Sequence, residues 1–142
     1  MKTKKTLSTL TFLLVIASFN LCAQYTAVGK WKLDSIEFNS KMLDSVKGTL
    51  LIEKDSSFKE DLSFLFSDSF SSQSPITISS EGVLEYTKRN SKYYKFGYKE
   101  GILVKDYEYA DFLKIKNKDH LIVYHRPAFA GDINYIYYYT RE

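Results

Sequence analysis

The chain has a single cysteine, Cys22, together with two prolines and six glycines in 142 residues. One cysteine excludes a framework of intrachain disulfides. So little proline and glycine excludes collagen-like repeats and Pro/Gly-rich linkers. There are two histidines, His120 and His125. Their odd separation sends them to opposite faces of a strand, so they form no His-x-His metal pair. No apolar run approaches the roughly 20 residues of a spanning helix; Leu10 to Phe19 is broken by Thr11 and Ser18. A strong net charge is missing too. The formal +3 equals the contribution of Lys2, Lys4 and Lys5, and beyond them 17 basic residues face 17 acidic ones. Nothing in that balance calls for nucleic acid.

Residues 1–23 read as an address label: three lysines, an apolar stretch, and a small residue at Ala23. This is the layout of a secretory signal peptide, with cleavage expected before Gln24. The expectation is an exported protein, periplasmic or extracellular, with one domain over 24–142 and no transmembrane segment in the mature chain. Cys22 follows the bulky Leu21, where a lipobox wants a small residue, so lipid anchoring at Cys22 is the lesser alternative.

Aromatics are abundant: 12 Tyr, 10 Phe and one Trp, 16% of the chain. Such rings favour a pleated, half-buried surface, and after Gln24 the hydrophobic period is two. Trp31 and Leu33 alternate with lysines and Asp34. Phe58, Leu62, Phe64 and Phe66 share one parity against Lys59, Asp61 and Ser63. Leu84 with Tyr86, Tyr94 with Phe96 and Tyr98, Leu113 with Ile115, and Tyr135 with Tyr137 and Tyr139 repeat the pattern. Turn signals fall at Asp55-Ser56-Ser57, Glu81-Gly82, Lys99-Glu100-Gly101, Asn117-Lys118-Asp119 and Ala130-Gly131-Asp132. Short strands joined by tight turns predict an all-β antiparallel meander, and sequential hairpins favour closure into a small barrel of 8–10 strands over a sandwich. The serine-rich stretch 63–80 reads as a long polar loop, or as a flap carrying Phe64, Phe66 and Phe70 over a cavity.

Gly29-Lys30-Trp31 at the first mature strand, the meander, and a Tyr-rich last strand ending in Arg141 resemble the lipocalins and the wider calycin group. The short secreted lipocalin-like proteins of Gram-negative bacteria share this layout. The resemblance implies a barrel in which Gly29 allows close approach, Trp31 fills the floor and Arg141 covers it, with Arg126 the competing cover. The family's central Thr-Asp-Tyr signature has only a faint echo in Val104-Lys105-Asp106-Tyr107.

Chemistry is sparse. No Gly-x-Ser-x-Gly elbow, phosphate loop or metal-ligand spacing appears. Asp34, Glu37, Asp106, Glu108 and Asp111 read as a solvated face. No catalytic residue, metal ligand or cofactor is assigned, and an enzyme is not expected. The inward parity instead predicts a wall of Phe64, Phe66, Tyr86, Tyr94, Phe96, Tyr98, Tyr135 and Tyr137, with Tyr139, while Tyr107, Tyr109 and Tyr138 face out. The leading expectation is non-covalent binding of a small apolar molecule in the barrel interior. The alternative is a packed barrel whose exterior grips an envelope protein.

Overall fold

The computed structural model describes residues 26–65, 74–125 and 135–142. Residues 1–23, read above as a signal, Phe66, Phe70, Arg126 and the turn expected at 130–132 lie outside them. The described residues form ten strands and no helix: β1 (Gly29–Phe38), β2 (Lys41–Met42), β3 (Asp44–Ile52), β4 (Ser57–Leu65), β5 (Ile76–Thr87), β6 (Lys92–Lys99), β7 (Ile102–Leu103), β8 (Asp111–Asn117), β9 (His120–His125) and β10 (Tyr135–Arg141). All pairings are antiparallel. Eight strands, β1-β3-β4-β5-β6-β8-β9-β10, follow one another around a barrel that β10 closes against β1. The short β2 and β7 are hairpin partners of β1 and β6 outside that ring. Closure leaves no long free edge.

Alternation along the strands decides which side faces in. On β4, Phe58, Leu62 and Phe64 are buried between exposed Lys59 and Asp61. On β10, Tyr137 and Tyr139 point into the core while the Tyr138 hydroxyl donates outside to Glu37 at 2.8 Å. Leu33, Ile36, Leu50, Leu113, Leu121 and Val123 belong to the same apolar core. The Glu53–Ser57 turn closes with Ser56 at φ 69° and with the Asp55 carboxylate accepting the Ser57 N–H at 2.9 Å.

At one pole the chain ends meet. Trp31 is fully buried, and its indole Nε1 donates to the Ala27 carbonyl at 2.9 Å. Burying an indole contributes about 4–6 kcal/mol before entropy is subtracted. The Arg141 guanidinium lies 4.1 Å from the centre of that ring. It also donates to the carbonyls of Lys118 (2.7 Å), Val28 (2.9 Å) and Thr26 (2.9 Å). Gly29 sits at φ 143°, and a β-carbon there would run into the guanidinium. Three segments are thereby tied to one planar cation.

Two turn assignments differ from the sequence expectation. Glu81-Gly82 is not a turn but the middle of the twelve-residue β5. Gly82 is there because a β-carbon would strike the Phe96 carbonyl, so it permits close approach of β5 to β6. The 63–80 stretch is neither loop nor flap over most of its described length: residues 63–65 end β4 and residues 76–80 begin β5, with Phe64 paired to Ile76. Serine's small side chain fits a pleat when its neighbours pair.

Candidate functional site

β6 is paired to β8 only from Tyr93 to Lys95, where Lys95 faces Asp111, the first residue of β8. Beyond that point β6 runs on to Lys99 beside β7. A lateral cleft of about 620 Å³ lies where the two strands part. Phe58, Ser80 and Lys95 reach it from the interior side, and Asp111 and His125 from the starts and ends of β8 and β9. Tyr98, Val104 and Tyr109 form its outer rim.

Behind this cleft the apolar interior is interrupted by a charged cluster. Glu60 takes the inward parity between Phe58 and Leu62 and is buried. Its Oε2 accepts from the Lys95 ammonium and, at 3.3 Å, from the Ser80 hydroxyl. Its Oε1 accepts from the Tyr139 hydroxyl at 2.8 Å. Lys95 also lies 4.9 Å from the Phe58 ring centre and 3.9 Å from the Asp111 carboxylate. Asp111 in turn holds His125 Nδ1 at 2.8 Å. The His125 ring is stacked on Tyr137 at 5.9 Å and meets Tyr135 edge-on at 5.8 Å. Removal from water pushes the Tyr137 and Tyr139 hydroxyls well above the ordinary phenol range, and the Glu60 charge adds to both. Both hydroxyls stay protonated, and that of Tyr139 is the donor to Glu60. Among the described residues no buried side-chain nitrogen or oxygen lacks a hydrogen-bond partner.

The predicted wall residues divide between inside and outside. Phe64, Tyr135 and Tyr137 come together inside, with Phe64 and Tyr135 at 6.2 Å. Tyr86 shares the inward parity of Leu84 but is half exposed at the β5–β6 hairpin, 4.8 Å from Tyr93. Tyr94, Phe96 and Tyr98 are corrected to the outer face. The interior phase of β6 belongs to Tyr93 and Lys95, because Leu84 opposite Lys95 is a core residue and Glu60 supplies the counter-charge. Apolar rings lost the inward side to an ammonium with a buried partner. Phe96 is nonetheless buried, since residues 104–110 strap over it. There the Tyr107 ring meets Phe96 and Tyr94 edge-on at 5.0 and 5.1 Å. The strap is tethered where Lys105 (2.7 Å) and the Tyr107 hydroxyl both donate to Glu85. These bonds hold the Glu85 carboxyl below its ordinary range, the Lys105 contact being the larger cause.

Asp111, read in the sequence as solvated, instead belongs to the cluster. Glu60, Lys95 and Ser80 were missed. Only Glu60 left a signal, a carboxylate on an otherwise apolar parity. No three metal-ligating side chains converge among the described residues, and no described helix is long and apolar enough to cross a membrane. Among the described residues the inward side chains form one apolar core, and the cleft lies beside it where β6 and β8 part.

The fold is thus a closed, eight-stranded antiparallel barrel, an architecture compatible with the lipocalin-like proteins. No family model, curated protein or solved structure matches the chain.

Proposed function

We propose that this chain is an exported, lipocalin-like binding protein that holds one small, largely apolar molecule non-covalently in the lateral cleft. The observation that carries the reading is the cleft itself: aromatic walls from Phe96, Tyr98 and Tyr109 beside three convergent polar side chains, Ser80, Asp111 and His125, most of them on paired strands. Apolar lining with a few placed polar groups is the usual composition of small-molecule sites. Kinship with lipocalins rests on Gly29, Trp31 and Arg141 and on the barrel. Export to the periplasm or beyond rests on residues 1–23. No catalytic role is assigned: Asp111 and His125 form a dyad without an adjacent nucleophile among the described residues.

A second reading has its own observation. Tyr98, Ile102, Val104 and Tyr109 are exposed together along β6, β7 and the strap. A protein segment in the cell envelope could cover that patch.

Titration with the neutral fluorophore N-phenyl-1-naphthylamine separates the two. The first reading expects saturable binding at one site, weakened by Tyr98→Ala with Tyr109→Ala and untouched by Ile102→Ser, since Ile102 does not line the cleft. Absence of saturable binding, with an envelope protein captured by the wild type and lost on Ile102→Ser, favours the second.

A further inference from the structure

The basic and acidic residues that balance beyond Lys5 are not spread evenly over the barrel. From Tyr86 to Lys99 there are five basic residues and no acidic one, and β8 adds Lys114 and Lys116. Of the five, Lys95 turns inward and is compensated by Glu60. Lys88 and Arg89 are exposed in the β5–β6 turn, and Lys92 takes the outward parity of Tyr94. Its ammonium rests 4.0 Å from the centre of the Phe112 ring. The β6–β8 register sets Lys92 beside Lys114, one step beyond the paired Tyr93 and Leu113. Lys114 and Lys116 stand exposed on one face of β8. Like charges side by side on a sheet repel. Among the described residues, none of Lys88, Arg89, Lys92, Lys114 and Lys116 enters an ion pair. Glu85, across from Tyr94, is already held by Lys105 and Tyr107. Elsewhere at this pole the charges are matched: Lys30 pairs with Glu142, Lys118 lies 4.0 Å from Asp119, and Lys54 stands between Glu53 and Asp55. The surplus is confined to one flank.

We propose that this flank docks on the surface of an anionic lipid bilayer, its five cations meeting phosphate-bearing headgroups. The flank is the outer wall of a closed barrel together with a hairpin tip, a shape that meets a flat array of charges. At that tip Tyr86 is half exposed beside Tyr93, and a ring with a polar end settles at headgroup depth. The chain also enters the barrel at this end. Arg141 bonds the carbonyls of both Lys118, in the β8–β9 turn, and Thr26, just ahead of β1. Residues 1–23, with their apolar stretch, therefore join the barrel on the side that carries the surplus. Each basic side chain brought to an anionic bilayer strengthens binding about fivefold. Nothing in this docking depends on the cleft being occupied.

The test sediments the protein, purified from its own host, with vesicles of phosphatidylcholine alone and of phosphatidylcholine mixed with phosphatidylglycerol. The readout is the ratio of the two partition coefficients, which separates charge from any apolar attachment. The expected result is a clear preference for the anionic vesicles that is lost at high salt. Lys114→Gln with Lys116→Gln should lower the preference by about tenfold or more. Lys114→Arg with Lys116→Arg should keep it, because the charges stay. Lys41→Gln with Lys47→Gln removes as much charge from exposed positions on β2 and β3 and should change the preference by no more than about twofold. Equal partitioning onto both vesicles overturns the proposal. So does an equal loss from the 41/47 and 114/116 glutamine pairs, which would make the attraction one of net charge, and so does loss in the arginine pair. Binding of soluble polyphosphate with no preference for anionic vesicles also overturns it and assigns the flank to a soluble polyanion.

Discussion

The Trp31 pole and the Glu60–Lys95 flank are both buried, yet they are stabilised in opposite ways. At the pole a large ring fills space, and its one polar atom meets a backbone carbonyl. Arg141 seals it from the half-exposed side, its charge still near water. On the flank two full charges sit inside the barrel and depend on each other and on two hydroxyls. The pole is stable because of surface removed from water. The flank is tolerable only because every charge and hydroxyl has a partner. A core needs no such flank for stability, and this one borders the cleft between β6 and β8.

Substitutions sharpen that contrast. Trp31→Ala should have the largest effect, lowering unfolding free energy by about 3–5 kcal/mol through lost burial and a cavity, read by urea denaturation. Lys95→Met alone should cost a comparable or slightly smaller amount, about 3–4 kcal/mol, because Glu60 is left charged and buried. Here the regions part. Adding Glu60→Leu to Lys95→Met should recover much of that loss, with a coupling of about 1–3 kcal/mol in the double-mutant cycle. No second substitution should rescue Trp31→Ala. A cycle without coupling would mean that the flank is ordinary core.

Gly82→Ala tests the joint between the regions. Its β-carbon has no room against the Phe96 carbonyl, so β5 and β6 must separate at a cost of about 1–3 kcal/mol. Amide shifts should move along β6 toward the cleft while Trp31 fluorescence stays unchanged.

The smallest effect belongs to the strap. Glu85 is depressed by Lys105 and Tyr107, so the tether is fully present above the ordinary carboxyl range and is lost as pH falls through the depressed value. Lys105 is raised by Glu85, so from the other side the tether persists below the ordinary lysine range and is lost as pH climbs through the raised value. Limited proteolysis within 104–110 should accelerate in acid, and Glu85→Gln should remove that dependence without unfolding the barrel.

Much of the barrel was legible because period two survives in the first half of β1 and along β4, and because Tyr137 and Tyr139 keep one parity in β10. The pole was legible for a similar reason: antiparallel closure puts the end of β10 beside the start of β1, so the positions of Trp31 and Arg141 follow from topology. The flank was not legible. In Tyr93-Tyr94-Lys95-Phe96 both parities carry rings, and hydrophobicity alone gives the inside to Tyr94 and Phe96. What decides the phase is Glu60, 35 residues away in sequence. Gly82 was misread for a related reason. A glycine in isolation signals a turn, while here it answers a neighbouring strand's carbonyl. The strap, which buries Phe96 on the outside, has no periodicity to announce it.

Native mass spectrometry of the protein purified from its own host, before and after organic extraction, tests the binding claim most directly. The account predicts an added mass of one small, largely apolar molecule per chain, lost on extraction and on Tyr98→Ala with Tyr109→Ala. A bare chain mass under gentle conditions, unchanged by extraction, would contradict it and leave the barrel as a packed scaffold with an exposed aromatic patch.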